Sequence, residues 1–277
     1  MLPITFLSDY GHDDEFVGVC HGVIQRIAPG AIVIDVVHGL PRQDVRTAAL
    51  TLRRVLAYMP KGVHLAVVDP EVGTARRPLA VRCLDGHVLV GPDNGVLWPA
   101  IERCGGVEIA VDLDHTPYRL EPVSATFHGR DIFAPVAARL ALETPIEHAG
   151  SPVAPGDLVR IDLPRPKVAE GEVTARVLSI DRFGNVQLNV YRDQLAKAGF
   201  AIGNPVRIQA GRKSRRAVYA HTFAEVNAGE AIVYEDSTRA IAIAVNGGSA
   251  AAVLAVEPDS ELKLKPWPRR SKAPAEA

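Results

Sequence analysis

The sequence predicts an α/β domain built on a mostly parallel sheet, followed by a smaller all-β domain. Three observations carry this reading. Strand-like and helix-like segments alternate through the first half, the pattern of parallel strands joined by crossover helices. After about residue 150 the segments become short, alternate in polarity and are separated by regular turns, as in a small antiparallel barrel or sandwich. The chain has 277 residues, room for about two domains at roughly 150 residues each.

The elements follow in order. Residues 4–7 are a short apolar run that stops at Ser8-Asp9-Tyr10-Gly11. A helical pattern covers residues 16–27 and ends at Pro29-Gly30. Residues 31–37 are rich in β-branched side chains and almost wholly apolar, the composition of a strand buried on both faces. Asp44 is placed to cap the next helix, which runs to about Tyr58 and stops before Pro60. Residues 63–68 predict a second buried strand ending in Asp69-Pro70, and residues 88–90 a third ending in Gly91-Pro92-Asp93-Asn94-Gly95. Asp131 opens a helix over residues 132–142. Short strands are expected at residues 173–180, 186–190, 205–209, 231–234, 240–245 and 252–256. These segments give an α/β domain over residues 1–150, a Pro- and Gly-rich linker over 151–167 and a β domain over 168–264. Residues 265–277 are Pro- and charge-rich and read as a disordered tail.

Composition narrows the function. The formal net charge is −1, so no overall positive field gathers nucleic acid. The run Arg212-Lys213-Ser214-Arg215-Arg216 reads as a solvated basic loop. No apolar stretch reaches the length of about 18 residues that a membrane span needs. The N-terminus lacks a basic region followed by a long apolar run, so no signal peptide is expected. Cys20, Cys83 and Cys104 are odd in number and form no CxxC pair. They read as reduced thiols of a cytoplasmic protein.

Ligands of open α/β sheets bind beyond the carboxyl ends of the strands, and polar clusters fall at those ends here. The first, residues 8–15, holds Asp9, Asp13, Asp14 and Glu15. It fits a solvated helix-capping loop, a divalent metal site helped by His38 with Asp35 or His128 with Asp131, or a carboxylate that takes both hydroxyls of a ribose. The second runs from Asp69 to Pro78, where Gly73-Thr74 predicts a tight turn that returns Arg76 towards Asp69. It is a structural ion pair or part of a site. The third, Ser124 to Asp131, places His128 before a glycine and a helix start, suited to a partly exposed imidazole. The fourth, Asp181-Arg182-Phe183-Gly184-Asn185, is a hairpin turn in which Phe183 and Asn185 also suit a purine, by ring face and by amide.

Together these clusters resemble one family, the S-adenosyl-L-methionine (SAM) hydroxide adenosyltransferases, whose superfamily also holds the fluorinating and chlorinating enzymes. The resemblance runs from Ser8-Asp9-Tyr10-Gly11 to Ala244-Val245-Asn246-Gly247-Gly248. It rests on the order of Asp69-Pro70-x-Val72-Gly73-Thr74-x-Arg76-Arg77, Pro92-Asp93-Asn94-Gly95, Thr126-Phe127-His128-Gly129-Arg130-Asp131-Ile132-Phe133 and Phe183-Gly184-Asn185. By motif, the family's catalytic trio falls on Asp69, Arg76 and His128. Its ribose-binding aspartate falls on Asp9. Asp14, Asp181 and Ser237 match positions near the methionine portion, and Phe183 and Asn185 positions near adenine. The resemblance implies an α/β N-terminal domain with a mostly parallel sheet plus an all-β C-terminal barrel. It implies a homotrimer with sites between subunits, hydrolysis of SAM to adenosine and methionine, and neither metal nor cofactor. Two departures stand out: Glu71 replaces a glycine usual in the family, and Thr238 follows Ser237 where the halogenating relatives carry arginine, with Arg239 one step on.

The chemistry suits these residues. The sulfonium leaves as a neutral thioether and needs no acid, whereas water is a weak nucleophile and needs orientation and a proton acceptor. His128 and Asp69 are expected to orient the water and take its proton, and Arg76 to stabilise developing hydroxide. The rivals are a SAM-dependent halogenase, for which such a trio is superfluous, a non-catalytic sensor of SAM or adenosine, and a metal-dependent hydrolase built on the acidic loop.

Overall fold

The computed structural model describes residues 1–267, divided into two compact units, Met1–Asp162 and the residues from Leu163 on. The first unit contains β1 (Ile4–Ser8), α1 (Phe16–Ile27), β2 (Val33–Val37), α2 (Val45–Val55), β3 (Val63–Val67), β4 (Pro78–Cys83), β5 (Val88–Pro92), α3 (Trp98–Arg103), β6 (Val107–Asp112), α4 (Ala134–Ala141) and β7 (Ser151–Pro152). They form one seven-stranded sheet in the order β2-β1-β3-β5-β4-β6-β7. The four strands from β2 to β5 are parallel, and β4, β6 and β7 extend the sheet antiparallel.

Strand alternation distributes the core over two faces. Ile4, Phe6, Val63, Leu65 and Val67 pack with α1 and α4 on one side. Leu7, Ala66, Leu79, Val81 and Leu89 pack with α2 and α3 on the other. Asp44 caps α2 as expected, its carboxylate accepting from the Thr47 amide at 2.9 Å. Because β2 and β3 lie on opposite sides of β1, the strand order reverses there, and a crevice opens beyond the carboxyl ends of β1 and β3.

The second unit contains β8 (Lys167–Ala169), β9 (Glu172–Ile180), β10 (Val186–Tyr191), α5 (Arg192–Lys197), β11 (Pro205–Ala210), β12 (Lys213–Tyr219), β13 (Ala231–Glu235), β14 (Ala240–Val245), α6 (Ala250–Leu254) and β15 (Glu261–Pro266). The strands follow the order β10-β14-β13-β12-β11-β15-β9-β8, and β10 also pairs with β9. That last pairing closes seven strands into a barrel, with β8 lying along β9 outside the ring. The barrel's interior is filled by alternating residues such as Val173, Ala175 and Val177 of β9 and Ile241 and Ile243 of β14.

Several expectations are corrected. The stretch at residues 31–37 is not buried on both faces, because β2 is the edge strand and has a single neighbour. Residues 252–256 are not a strand: Ser249 caps the short helix α6, accepting from the Ala252 amide at 3.2 Å. The basic run at 212–216 is not a loop. Most of it is the exposed first half of β12, whose backbone is committed to β11. Asp131 does not open its helix. The helix begins with a wide turn, Gly129–Phe133, and Asp131 is buried and bonded back to Arg130 and to the Ser124 amide. Of the expected tail, Lys265 and Pro266 close β15, while residues 268–277 lie outside the described residues.

Cys20, Cys83 and Cys104 are all buried and free. Burial pushes the Cys20 thiol up to about 12. Cys83 is raised by its hydrogen bond with Cys104 and then by burial. Among the described residues no helix is long and apolar enough to cross a membrane.

Candidate active site

β1 and β3 are parallel neighbours with Ser8 opposite Val67, so Asp9 and Asp69 emerge from adjacent strand ends. Beyond β3 the chain folds back at once. The Val72 amide donates to the Asp69 carbonyl at 3.3 Å, and the Thr74 amide and hydroxyl donate to the Glu71 carbonyl at 3.1 and 2.7 Å. The left-handed position of this turn is Gly73, at φ 79°. Glu71 needs no positive φ, so its departure from the family's usual glycine does not strain the turn.

The turn returns Arg76 to Asp69. Arg76 Nε donates to Asp69 Oδ1 at 3.1 Å, and Nη2 donates to Oδ2. Their side chains are 2% and 7% exposed. Arg76 Nη2 also lies 3.3 Å from His128 Nδ1. A guanidinium has no lone pair to offer, so Nδ1 must be the acceptor and the neutral imidazole carries its proton on Nε2. Burial, and then the Arg76 charge, hold His128 below the usual histidine range. Burial raises the Asp69 carboxyl, with Arg76 and His128 opposing it. His128 immediately precedes the wide turn Gly129–Phe133, a helical irregularity often found at functional sites.

A cavity of about 410 Å³ lies here, lined among others by Asp9, Tyr10, Asp14, Asp69, Phe127 and His128. Asp9 is oriented by the backbone amide of Gln43, which donates to Oδ2 at 2.8 Å. Asp14 is exposed in the loop before α1. The structure thus gathers Asp9, Asp14, Asp69 and His128 around one cavity, with Arg76 joining the last two. Sequence reasoning did not single out Tyr10, Phe16, Phe127, Arg42 or Gln43 as lining residues. Tyr10 and Phe127 sit inside quoted motifs. Gln43, at φ 63°, gives no sequence signal of its placement.

Asp181, Phe183, Asn185 and Ser237 lie in the second unit. Asp181 organises the turn between β9 and β10, its Oδ1 accepting from the amides of Phe183 and Asn185, both at 2.9 Å. The Asn185 side chain donates to Asp181 Oδ2 at 2.8 Å. Phe183 is 64% exposed and carries the Arg182 guanidinium over its ring, 4.9 Å from the centroid. Ser237 is exposed in the turn between β13 and β14. There Thr238 is bound to Asp236 Oδ1 through both amide and hydroxyl at 2.7 Å, and Arg239 pairs with Glu235 at 2.8 Å.

Among the described residues, two groups have metal-ligand chemistry: His21, Asp35 and His38, and Asp85, His87 and Cys104. In the first, His21 Nε2 and His38 Nε2 meet the same Asp35 oxygen at 2.8 and 2.9 Å, and His38 Nδ1 meets the Ser8 hydroxyl at 2.7 Å. That is a complete hydrogen-bond chain beneath the Asp9 loop, and it accounts for all three side chains. The other candidate pairing, His128 with Asp131, does not form, since Asp131 is taken by Arg130.

Comparison with known proteins gives a consistent result. Residues 4–150 match the SAM hydroxide adenosyltransferase N-terminal domain, and residues 175–263 match the corresponding C-terminal domain. A protein of Salinispora tropica named (R)-S-adenosyl-L-methionine hydrolase is 48% identical over 94% of this chain and 97% of its own. One of the same name from Thermus thermophilus is 39% identical over 95% and 100%. A fluorinase of Actinoplanes sp. is 28% identical over 88% and 90%. The crystal structure of an uncharacterized conserved protein from Thermotoga maritima superposes with a TM-score of 0.90 at 36% identity, covering 95% of this chain and 99% of that one. Matched along both of its domains, the chain belongs to the SAM hydroxide adenosyltransferase family.

Proposed function

We propose that the protein hydrolyses SAM to adenosine and L-methionine by attack of water at C5′ of the ribose. The observation that carries this is the contact of Arg76 with both Asp69 and His128 at the wall of a cavity that Asp9 and Asp14 also line. Relatives 47–48% identical carry the name of a SAM hydrolase, whereas the fluorinases stand at about 28%.

His128 is neutral, with its proton on Nε2, so it donates to the water oxygen and orients it. Asp69 is the anionic member of the trio and takes the proton as the O–C5′ bond forms and the C5′–S electron pair passes to sulfur. Arg76 keeps Asp69 ionised and stabilises developing hydroxide. Its Nη1 is buried and has no hydrogen-bond partner among the described residues, a donor still open to an oxygen. Asp9 takes the ribose diol, and Asp14 faces the methionine end. Asp181 and Ser237 are assigned to the methionine portion and Phe183 and Asn185 to adenine, in a cytoplasmic homotrimer whose sites lie between subunits. Neither metal nor cofactor enters this mechanism.

The test is chromatography and mass spectrometry after incubation with SAM in ¹⁸O-labelled water. Adenosine labelled at the 5′ oxygen, together with methionine, is the expected result. Intact SAM with retained adenosine binding would overturn the catalytic assignment.

A further inference from the structure

We propose that the Tyr10 hydroxyl also holds the attacking water, an assignment that rests on the hydrolysis proposed above. Tyr10 follows Asp9 at the end of β1 and lines the same cavity as Asp69 and His128. Its ring is wedged edge-on against Phe6 and Phe127, with centroids 6.4 and 5.8 Å away, and tilted against Phe16 at 5.7 Å. A ring fixed on three sides fixes its hydroxyl.

That hydroxyl stands against Gly129, the residue that follows His128. A Cβ built on Gly129 would lie 2.0 Å from the Tyr10 oxygen, so the space any side chain at 129 would fill is already taken by the phenol. Gly129 has no positive φ. What residue 129 contributes is therefore room, and the room admits the phenol oxygen to the wall of the cavity that His128 also lines.

Among the described residues the oxygen has no hydrogen-bond partner. Within the described residues the only hydrogen bond of Tyr10 is from its backbone amide to the Ser8 hydroxyl at 3.3 Å. Tyr10 is half-buried at the cavity wall, so its hydroxyl is open to a ligand or water there. Burial, with Cys20, Asp9 and Asp69 adding to it, raises the phenol well above its ordinary value. It stays protonated, able both to donate and to accept.

The substrate offers little to such a group at the reacting centre. Around C5′ SAM presents a sulfonium, its carbons and one acceptor, the ribose ring oxygen, with no hydrogen-bond donor, and the diol is assigned to Asp9. Water matches a neutral donor–acceptor. Tyr10 would hold it in register with His128 Nε2 without taking its proton, since that proton goes to Asp69.

The test compares wild type with Tyr10→Phe, which removes one oxygen and keeps the ring packing. Three quantities are read: kcat for adenosine release in ¹⁸O water, KM for SAM, and calorimetric Kd for adenosine. The expected result is a fall in kcat of at least about fivefold, the value of one hydrogen bond, with KM and Kd unchanged. An unchanged kcat overturns the inference alone. A matching loss of adenosine affinity overturns it by moving the hydroxyl to the nucleoside. A wild type that releases no labelled adenosine overturns the hydrolytic reading, and this inference with it.

Discussion

Gly73 and Ala125 touch so closely that a Cβ on the glycine would stand 2.4 Å from the Ala125 carbonyl oxygen. The contact locks the turn that carries Arg76 against the segment that carries His128. Those two side chains approach to 3.3 Å. Gly73→Ala meets both this carbonyl and an unfavourable φ of 79°. It should lower stability by about 1–3 kcal/mol, read by denaturant unfolding, and lower kcat more than SAM affinity, read by steady-state kinetics and calorimetry.

His128→Ala removes the imidazole proposed to orient the water and leaves Asp9 in place. Turnover should fall by about 10²–10⁴, with adenosine Kd within a few-fold of wild type. Because the wild-type imidazole lies below its ordinary value of 6.5, it remains neutral as the pH falls through 6.5. The pH–rate profile of the wild type should show no loss attributable to His128 at that point, and a break at 6.5 would contradict its assigned environment.

Asp9→Ala should weaken adenosine and SAM together, by about ten- to a hundredfold, the range for hydrogen bonds to a charged group. Calorimetry with both ligands checks this. Loss of SAM binding alone would assign Asp9 to the methionine end instead.

Acid should destabilise the fold through a buried histidine that does not line the cavity. Thr5, His64 and His87 form a chain, with the Thr5 hydroxyl 2.8 Å from His64 Nδ1 and His64 Nε2 2.7 Å from His87 Nδ1. Burial, with His87 adding to it, depresses His64 from 6.5 to about 3. A histidine depressed in the folded state binds its proton more readily when unfolded. Its contribution to stability is full above 6.5 and is lost as the pH falls from 6.5 towards 3. Tm should decline across that window, and His64→Gln should flatten the slope. An equal slope in the variant would remove His64 as its source.

Legibility in the sequence followed local chemistry. The Asp44 cap, the return of Arg76 to Asp69 and the strand ends at Ser8 and Val67 all depend on residues within a few positions of one another. Gly, Asp and Thr announce such geometry. What stayed hidden depends on distant partners. Asp131 resembles a helix cap, yet its carboxylate goes to Arg130 and the Ser124 amide. The Ala- and Val-rich stretch near residue 252 has no period that separates a five-residue helix from a strand. β12 carries Lys213, Arg215 and Arg216, all exposed, and is a strand because β11 and β13 flank it. The open hydroxyl of Tyr10 depends on a glycine 119 positions away, a relation no local pattern records.

The three sealed thiols give the molecule an internal stopwatch. Cys20, Cys83 and Cys104 all lie in the cores of the first unit, and burial keeps Cys20 protonated up to about pH 12. A thiol-specific dye therefore finds nothing to react with until that unit opens. The speed of colour development in native buffer reports how often the sheet comes apart. A bound nucleoside that clamps the ends of β1 and β3 would register as a slower clock.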